Sequence, residues 1–118
     1  MSALESALIV EDDPIIAFAL EDMLLDIGFA EVQLATTLDE ARKRLETGTP
    51  SVAVLDVNIH GQRSYVLAPL LQDRNVPIVF ATGYGDAEHP DQLKSAPTVT
   101  KPYSLADIRG AIRRAMEA

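Results

Sequence analysis

Two apolar runs in this chain end in carboxylates. Ala7-Leu8-Ile9-Val10 leads into Glu11-Asp12-Asp13, and Val52-Ala53-Val54-Leu55 leads into Asp56. Two further runs end in other polar groups: Ile78-Val79-Phe80-Ala81 in the Thr82 hydroxyl, and Thr98-Val99-Thr100 in the Lys101 ammonium. Carboxylates gathered at one crevice repel one another and need a countercharge. Oxygen ligands without imidazole or thiolate point to a hard cation, most plausibly Mg²⁺ that keeps some of its waters. Asp56 as nucleophile, a divalent cation, the Thr82 hydroxyl and the Lys101 ammonium are the parts needed to form an aspartyl phosphate and stabilise its equatorial oxygens.

These groups meet only if the fold brings the run ends together. Continuous runs of β-formers suit central parallel strands covered on both faces. Pro14 fits the first turn of a helix carrying Ile16, Ala19, Leu20, Met23, Leu24 and Ile27 at helical spacing, and Gly28 stops it. Glu31-Val32-Gln33-Leu34-Ala35 alternates polar with apolar, which places that strand at a sheet edge. Thr37 with Glu40 forms a capping-box pattern before a second helix through Leu38, Ala41 and Leu45. After Asp56 comes a polar exit loop, 58–63, and Ser64 is expected to cap a helix through Val66, Leu67, Leu70 and Leu71. Residues 84–96 hold Gly85, Pro90 and little apolar periodicity, so a fourth helix there is expected to be short or disordered. Ser104 with Asp107 caps a last helix through Leu105, Ile108, Ala111, Ile112 and Ala115.

Strands alternating with helices read as α/β, a doubly wound five-stranded parallel sheet of order 2-1-3-4-5, flavodoxin-like. In that order the first and third strands are neighbours about 5 Å apart. Glu11, Asp12 and Asp56 then converge at the carboxyl ends of the strands, where such sheets open their ligand crevice.

With 118 residues the chain is expected to form one domain, residues 1–118. It has no cysteine, hence neither disulfides nor thiolate metal sites. No apolar run approaches the roughly 20 residues needed to span a bilayer, so a cytoplasmic protein without membrane contact is the default expectation. A net charge of −8 argues against nucleic-acid binding, and the basic clusters Arg42-Lys43-Arg44 and Arg113-Arg114 read as solvated helix faces.

Val10-Glu11-Asp12, Leu55-Asp56, Ala81-Thr82-Gly83 and Lys101-Pro102, in this order on the strand ends, resemble the receiver domain of two-component response regulators over essentially the whole chain. The order 2-1-3-4-5 rests in part on that likeness. The resemblance implies that Asp56 accepts a phosphoryl group from a phosphohistidine on a sensor histidine kinase or histidine phosphotransfer protein. It also implies that Glu11, Asp12 and Asp56, with the backbone carbonyl of Asn58, hold Mg²⁺. Thr82 would be the switch hydroxyl, Lys101 the ion-pairing partner and Lys101-Pro102 a cis bond. Phe80-Ala81-Thr82-Gly83-Tyr84-Gly85 is similar to a subgroup of mostly single-domain alphaproteobacterial receivers with a Phe-Ala-Thr-Gly motif, often linked to kinases of the HWE and related families. The expectation is a phosphoacceptor in phosphorelay signalling, monomeric or weakly dimeric, that passes its signal to an unknown downstream protein. It is not an enzyme in its own right, beyond catalysing its own phosphorylation and dephosphorylation.

The chain departs from the common receiver pattern at Thr98, where many receivers carry Tyr or Phe, with Tyr84 and Tyr103 the nearest aromatic substitutes. His60 stands where proline is frequent. Asp13 reads as a helix-start residue, and His60 and His89 as exposed loop residues. Three other readings remain: a receiver-like interaction module that is not phosphorylated, a receiver cut from a hybrid kinase, and a phosphatase using an aspartyl phosphate. The phosphatase normally needs a second acid two positions after its nucleophile, where this chain has Asn58.

Overall fold

A computed structural model describes residues 5–83 and 89–117. The run at the start forms β1 (Ser6–Val10), and the acidic turn leads into α1 (Pro14–Ile27). They are followed by β2 (Glu31–Ala35), α2 (Leu38–Thr47) and β3 (Val52–Asp56). The two strands β4 (Asn58–Ile59) and β5 (Gln62–Arg63) form a small antiparallel hairpin, and a 3₁₀ turn, Ser64–Leu67, precedes α3 (Ala68–Asp73). The chain continues through β6 (Ile78–Thr82), a 3₁₀ turn at Asp91–Leu93, β7 (Thr98–Thr100) and α4 (Leu105–Glu117).

The main sheet is parallel with the order β2-β1-β3-β6-β7. Counting only these long strands, this is the expected 2-1-3-4-5. Successive residues of a strand face opposite ways. Leu8, Val10, Ala53 and Leu55 therefore enter one core beneath α2 and α3, while Ala7, Ile9, Val52 and Val54 enter the other beneath α1 and α4. Because both faces are covered, β1 from Ala7 to Val10 and β3 from Val52 to Leu55 can be apolar without a break. The less buried β2 alternates because it is an edge.

The helix boundaries follow local chemistry. Asp13 caps α1, its Oδ1 accepting from the Ile15 and Ile16 amides at 2.9 and 3.4 Å. Ser104 and Asp107 exchange bonds of 3.0 and 3.1 Å at the start of α4, the reciprocal capping box. At α2, Thr37 Oγ1 accepts from the Glu40 amide at 3.0 Å, but Glu40 reaches back to the Thr36 amide at 2.7 Å instead of to Thr37. In α1 the inward face uses Ala17, with Leu20 and Leu24, whereas Ala19 is exposed.

Three expectations need correction. The 58–63 segment is a hairpin whose two-residue turn, His60-Gly61, has φ of 50° and 81°, the left-handed values such tight turns need. Ser64 does not cap a helix. Its amide is committed to the Val57 carbonyl at 2.9 Å, and its buried hydroxyl has no hydrogen-bond partner among the described residues. The helix expected to start there is split, because Pro69 has no N–H to donate back to residue 65. His89 is buried rather than exposed, held by hydrogen bonds to Tyr65 and Thr98. Where a fourth helix was expected to be short or disordered, the described residues contain only the Asp91–Leu93 3₁₀ turn. Tyr84, the start of that segment and the first four residues of the polar lead-in lie outside the described residues.

Leu55 is fully buried one residue before Asp56. Leu55→Ala is expected to destabilise by about 2–5 kcal/mol in urea unfolding. Phe18→Ala, on the exposed side of α1, should stay within about 0.5 kcal/mol of the parent.

Candidate functional site

The parallel register brings the four run ends to one edge of the sheet. Val10 pairs with Leu55, so Glu11 leaves β1 level with Asp56. Asp56 pairs with Ala81, which puts Thr82 one residue further along the neighbouring strand. Thr82 pairs with Thr100, and the Lys101 amide donates to the Thr82 carbonyl at 2.8 Å.

The three consecutive acids after β1 have different tasks. Asp13 caps α1. Glu11, 2% exposed, turns inward, with one carboxylate oxygen accepting from the Asp13 amide at 3.2 Å and the other from Lys101 Nζ at 3.0 Å. Asp12 Oδ2 accepts from the His60 backbone amide at 2.8 Å, tying the hairpin turn to the end of β1. Lys101 Nζ is also 3.2 Å from Asp56 Oδ2, so one ammonium bridges two carboxylates. The Lys101–Pro102 bond is cis, as the resemblance implied.

One oxygen from each of Glu11, Asp12 and Asp56 lies within 4.8 Å of the others. With all three carboxylates ionised, one ammonium against them leaves two negative charges, the amount a divalent cation carries. The set is all oxygen, which suits Mg²⁺ or another hard cation. Asn58 begins the hairpin two residues beyond Asp56, and the turn of that hairpin grips Asp12 through the His60 amide.

The electrostatics show the strain of packing these charges together. Burial pushes the Glu11 carboxyl up to about 7; the hydrogen bond from Lys101 opposes this shift, and the charge of Asp56 adds to it. Burial alone would lower the Lys101 ammonium, but the bond to Glu11 and the charge of Asp56 outweigh it, and the group lies above the ordinary lysine value. Burial would raise Asp12, yet the His60 amide and a hydrogen-bond interaction with Glu11 hold it below the usual carboxylate value. Tyr103 is pushed up to about 12 by burial and by the charge of Glu11, and its buried hydroxyl has no hydrogen-bond partner among the described residues.

Glu11, Asp12, Asp56, Thr82 and Lys101, all expected from the run ends, thus gather at one edge. Two features at or near the site were not foreseen. The His60 amide orients Asp12, and the signal that marks its turn is the His60-Gly61 pair, read only as loop. His89 lies behind Thr98 in the core, and no periodicity in its segment announced that.

The pattern of the response regulator receiver domain matches residues 7–113. SdrG from Sphingomonas melonis is 37% identical, with a TM-score of 0.86 over 98% of this chain and 99% of that one. A BeF3-activated conformation of SdrG also superposes, with a TM-score of 0.82. The phyllosphere-induced regulator PhyR of Methylorubrum extorquens is 30% identical over 92% of this chain, which spans only 42% of PhyR. The receiver domain of the sensor histidine kinase PA1611 from Pseudomonas aeruginosa, solved with magnesium in its active-site cleft, shares the fold at 23% identity and a TM-score of 0.81, covering 97% and 98% of the two chains.

In the metal-free protein Glu11 keeps its proton up to about 7, against an ordinary value of 4.5. A raised folded-state carboxyl contributes stability that is full below the unfolded value and is lost as pH rises through the folded one. Here that loss runs from about pH 4.5 to about pH 7 and amounts to at most about 3 kcal/mol. Urea midpoints measured without metal at about pH 5 and about pH 8 should fall further in the parent than in Glu11→Gln.

Proposed function

Because the chain belongs to the response regulator receiver domain family, we propose that it is a phosphoacceptor of two-component signalling with Asp56 as the acceptor. The observation that carries this reading is the single ammonium of Lys101 shared by Glu11 and Asp56 inside a three-carboxylate cluster. Lys101 holds Asp56 in place and leaves the cluster short of two positive charges.

Mg²⁺ would be held by Glu11, Asp12 and Asp56, with the Asn58 carbonyl, and when bound it supplies positive charge for the phosphoryl oxygens. An Asp56 carboxylate oxygen attacks the phosphorus of a phosphohistidine. The new O–P bond forms as the P–N bond breaks, and the imidazole leaves with the electron pair. Lys101, already 3.2 Å from Asp56, offers its ammonium to the transferred group. Thr82, on the strand beside Asp56, offers a hydroxyl donor once the group is in place. The donor would be a sensor histidine kinase, of the HWE or a related type, or a histidine phosphotransfer protein. The chain acts as a signalling acceptor with self-catalysed chemistry rather than as an enzyme on other substrates. The solved BeF3-activated form of SdrG supports this reading, since beryllofluoride mimics a phosphoryl group on a carboxylate. A receiver-like module without phosphorylation would have no physical need to bury Glu11 beside Asp56 and Lys101.

The test is intact-mass labelling with phosphoramidate, a small phosphohistidine analogue, and Mg²⁺. One phosphoryl group is expected on the parent, none on Asp56→Asn, and a strongly reduced rate for Lys101→Ala. Full labelling of Asp56→Asn would move the acceptor elsewhere, and no labelling of the parent would sink the reading.

A further inference from the structure

His89 is 5% exposed, and its ring is hydrogen-bonded at both nitrogens. Nδ1 is 2.7 Å from the Tyr65 hydroxyl, and Nε2 is 2.8 Å from Thr98 Oγ1. Thr98 Oγ1 donates to the Ala96 carbonyl at 3.2 Å, so it accepts from Nε2–H. The network runs from the 3₁₀ turn after the hairpin to β7.

The same ring packs on β6. Its centroid is 4.7 Å from Phe80 and 5.4 Å from Tyr65, and Tyr65 lies edge-on to Phe80 at 5.4 Å. Phe80 is two residues before Thr82 and so shares its face of the strand. Phe80 also pairs with Thr98, three residues before Lys101. One imidazole thus touches both strands that deliver the hydroxyl and the ammonium to Asp56. The site itself does not use it.

We propose that His89 is a positioning residue: through Phe80 and Thr98 it holds the ends of β6 and β7 in the unphosphorylated arrangement, and its hydrogen bonds open when Thr82 moves to a phosphoryl group on Asp56. This rests on the phosphoacceptor reading above. Weakening the network lowers the cost of leaving the resting arrangement, so a phosphoryl mimic binds more tightly, while the metal ligands are untouched.

The experiment is a titration of the full chain with beryllofluoride in saturating Mg²⁺, followed by amide NMR, for the parent, Thr98→Val and Tyr65→Phe. Each substitution keeps the side chain's shape and removes one hydroxyl. Both should bind beryllofluoride about three- to tenfold more tightly, the effect of one lost net hydrogen bond, with Mg²⁺ affinity within about twofold. In the parent, the ¹⁵N shifts of the His89 ring should report the Nε2–H tautomer when free and change on saturation. If a variant does not fold, the other variant and the parent's ring shifts carry the test. Unchanged or weaker beryllofluoride binding in the folded variants, or ring shifts constant through saturation, overturns the proposal and leaves the phosphoacceptor reading intact. A parent that ignores beryllofluoride altogether overturns both.

Discussion

Lys101 is the constraint around which the site is arranged. Its ammonium lies 3.0 Å from Glu11 and 3.2 Å from Asp56, and without it two buried carboxylates would face each other in a low-dielectric crevice. Burial still wins at Glu11, whose carboxyl is pushed up to about 7. The metal-free protein is therefore under electrostatic tension that a proton, a divalent cation or both can relieve. Binding of a divalent cation at this cluster would favour the ionised form of Glu11 and so be linked to release of its proton.

The frame that imposes this arrangement is the parallel sheet. Equal register among β1, β3, β6 and β7 delivers Glu11, Asp56, Thr82 and Lys101 to one edge although they are far apart in sequence. Backbone bonds then fix the details. Lys101 is tied to Thr82 through its amide, and Asp12 to the hairpin turn through the His60 amide. His89 extends this coupling into the core, where Phe80 and Thr98 lie between it and the site.

Much of this could be read from residue order alone, and for a definite reason. A continuous apolar run that ends in a charge or hydroxyl identifies both a doubly covered strand and its functional end, so Glu11, Asp56, Thr82 and Lys101 were legible before any coordinates. Caps were legible where the bond partner lies three residues away, as at Asp13 and Ser104. Ser64 has the right type for a cap, but its amide bonds the Val57 carbonyl and its buried hydroxyl makes no capping bond. The hairpin itself was missed because four strand residues carry no periodicity.

The strand count of the main sheet, the edge position of β2, the two-faced core and the chemical types at the site were all present in the residue order, because these depend on hydrophobic pattern and on local spacing. The pairings came from the folded chain alone: which carboxylates share Lys101, that Asp12 is gripped by the His60 amide, and that His89 is buried between Tyr65 and Thr98. Those contacts join residues distant in the chain, and their strength depends on burial. Neither property is written in any local stretch of sequence.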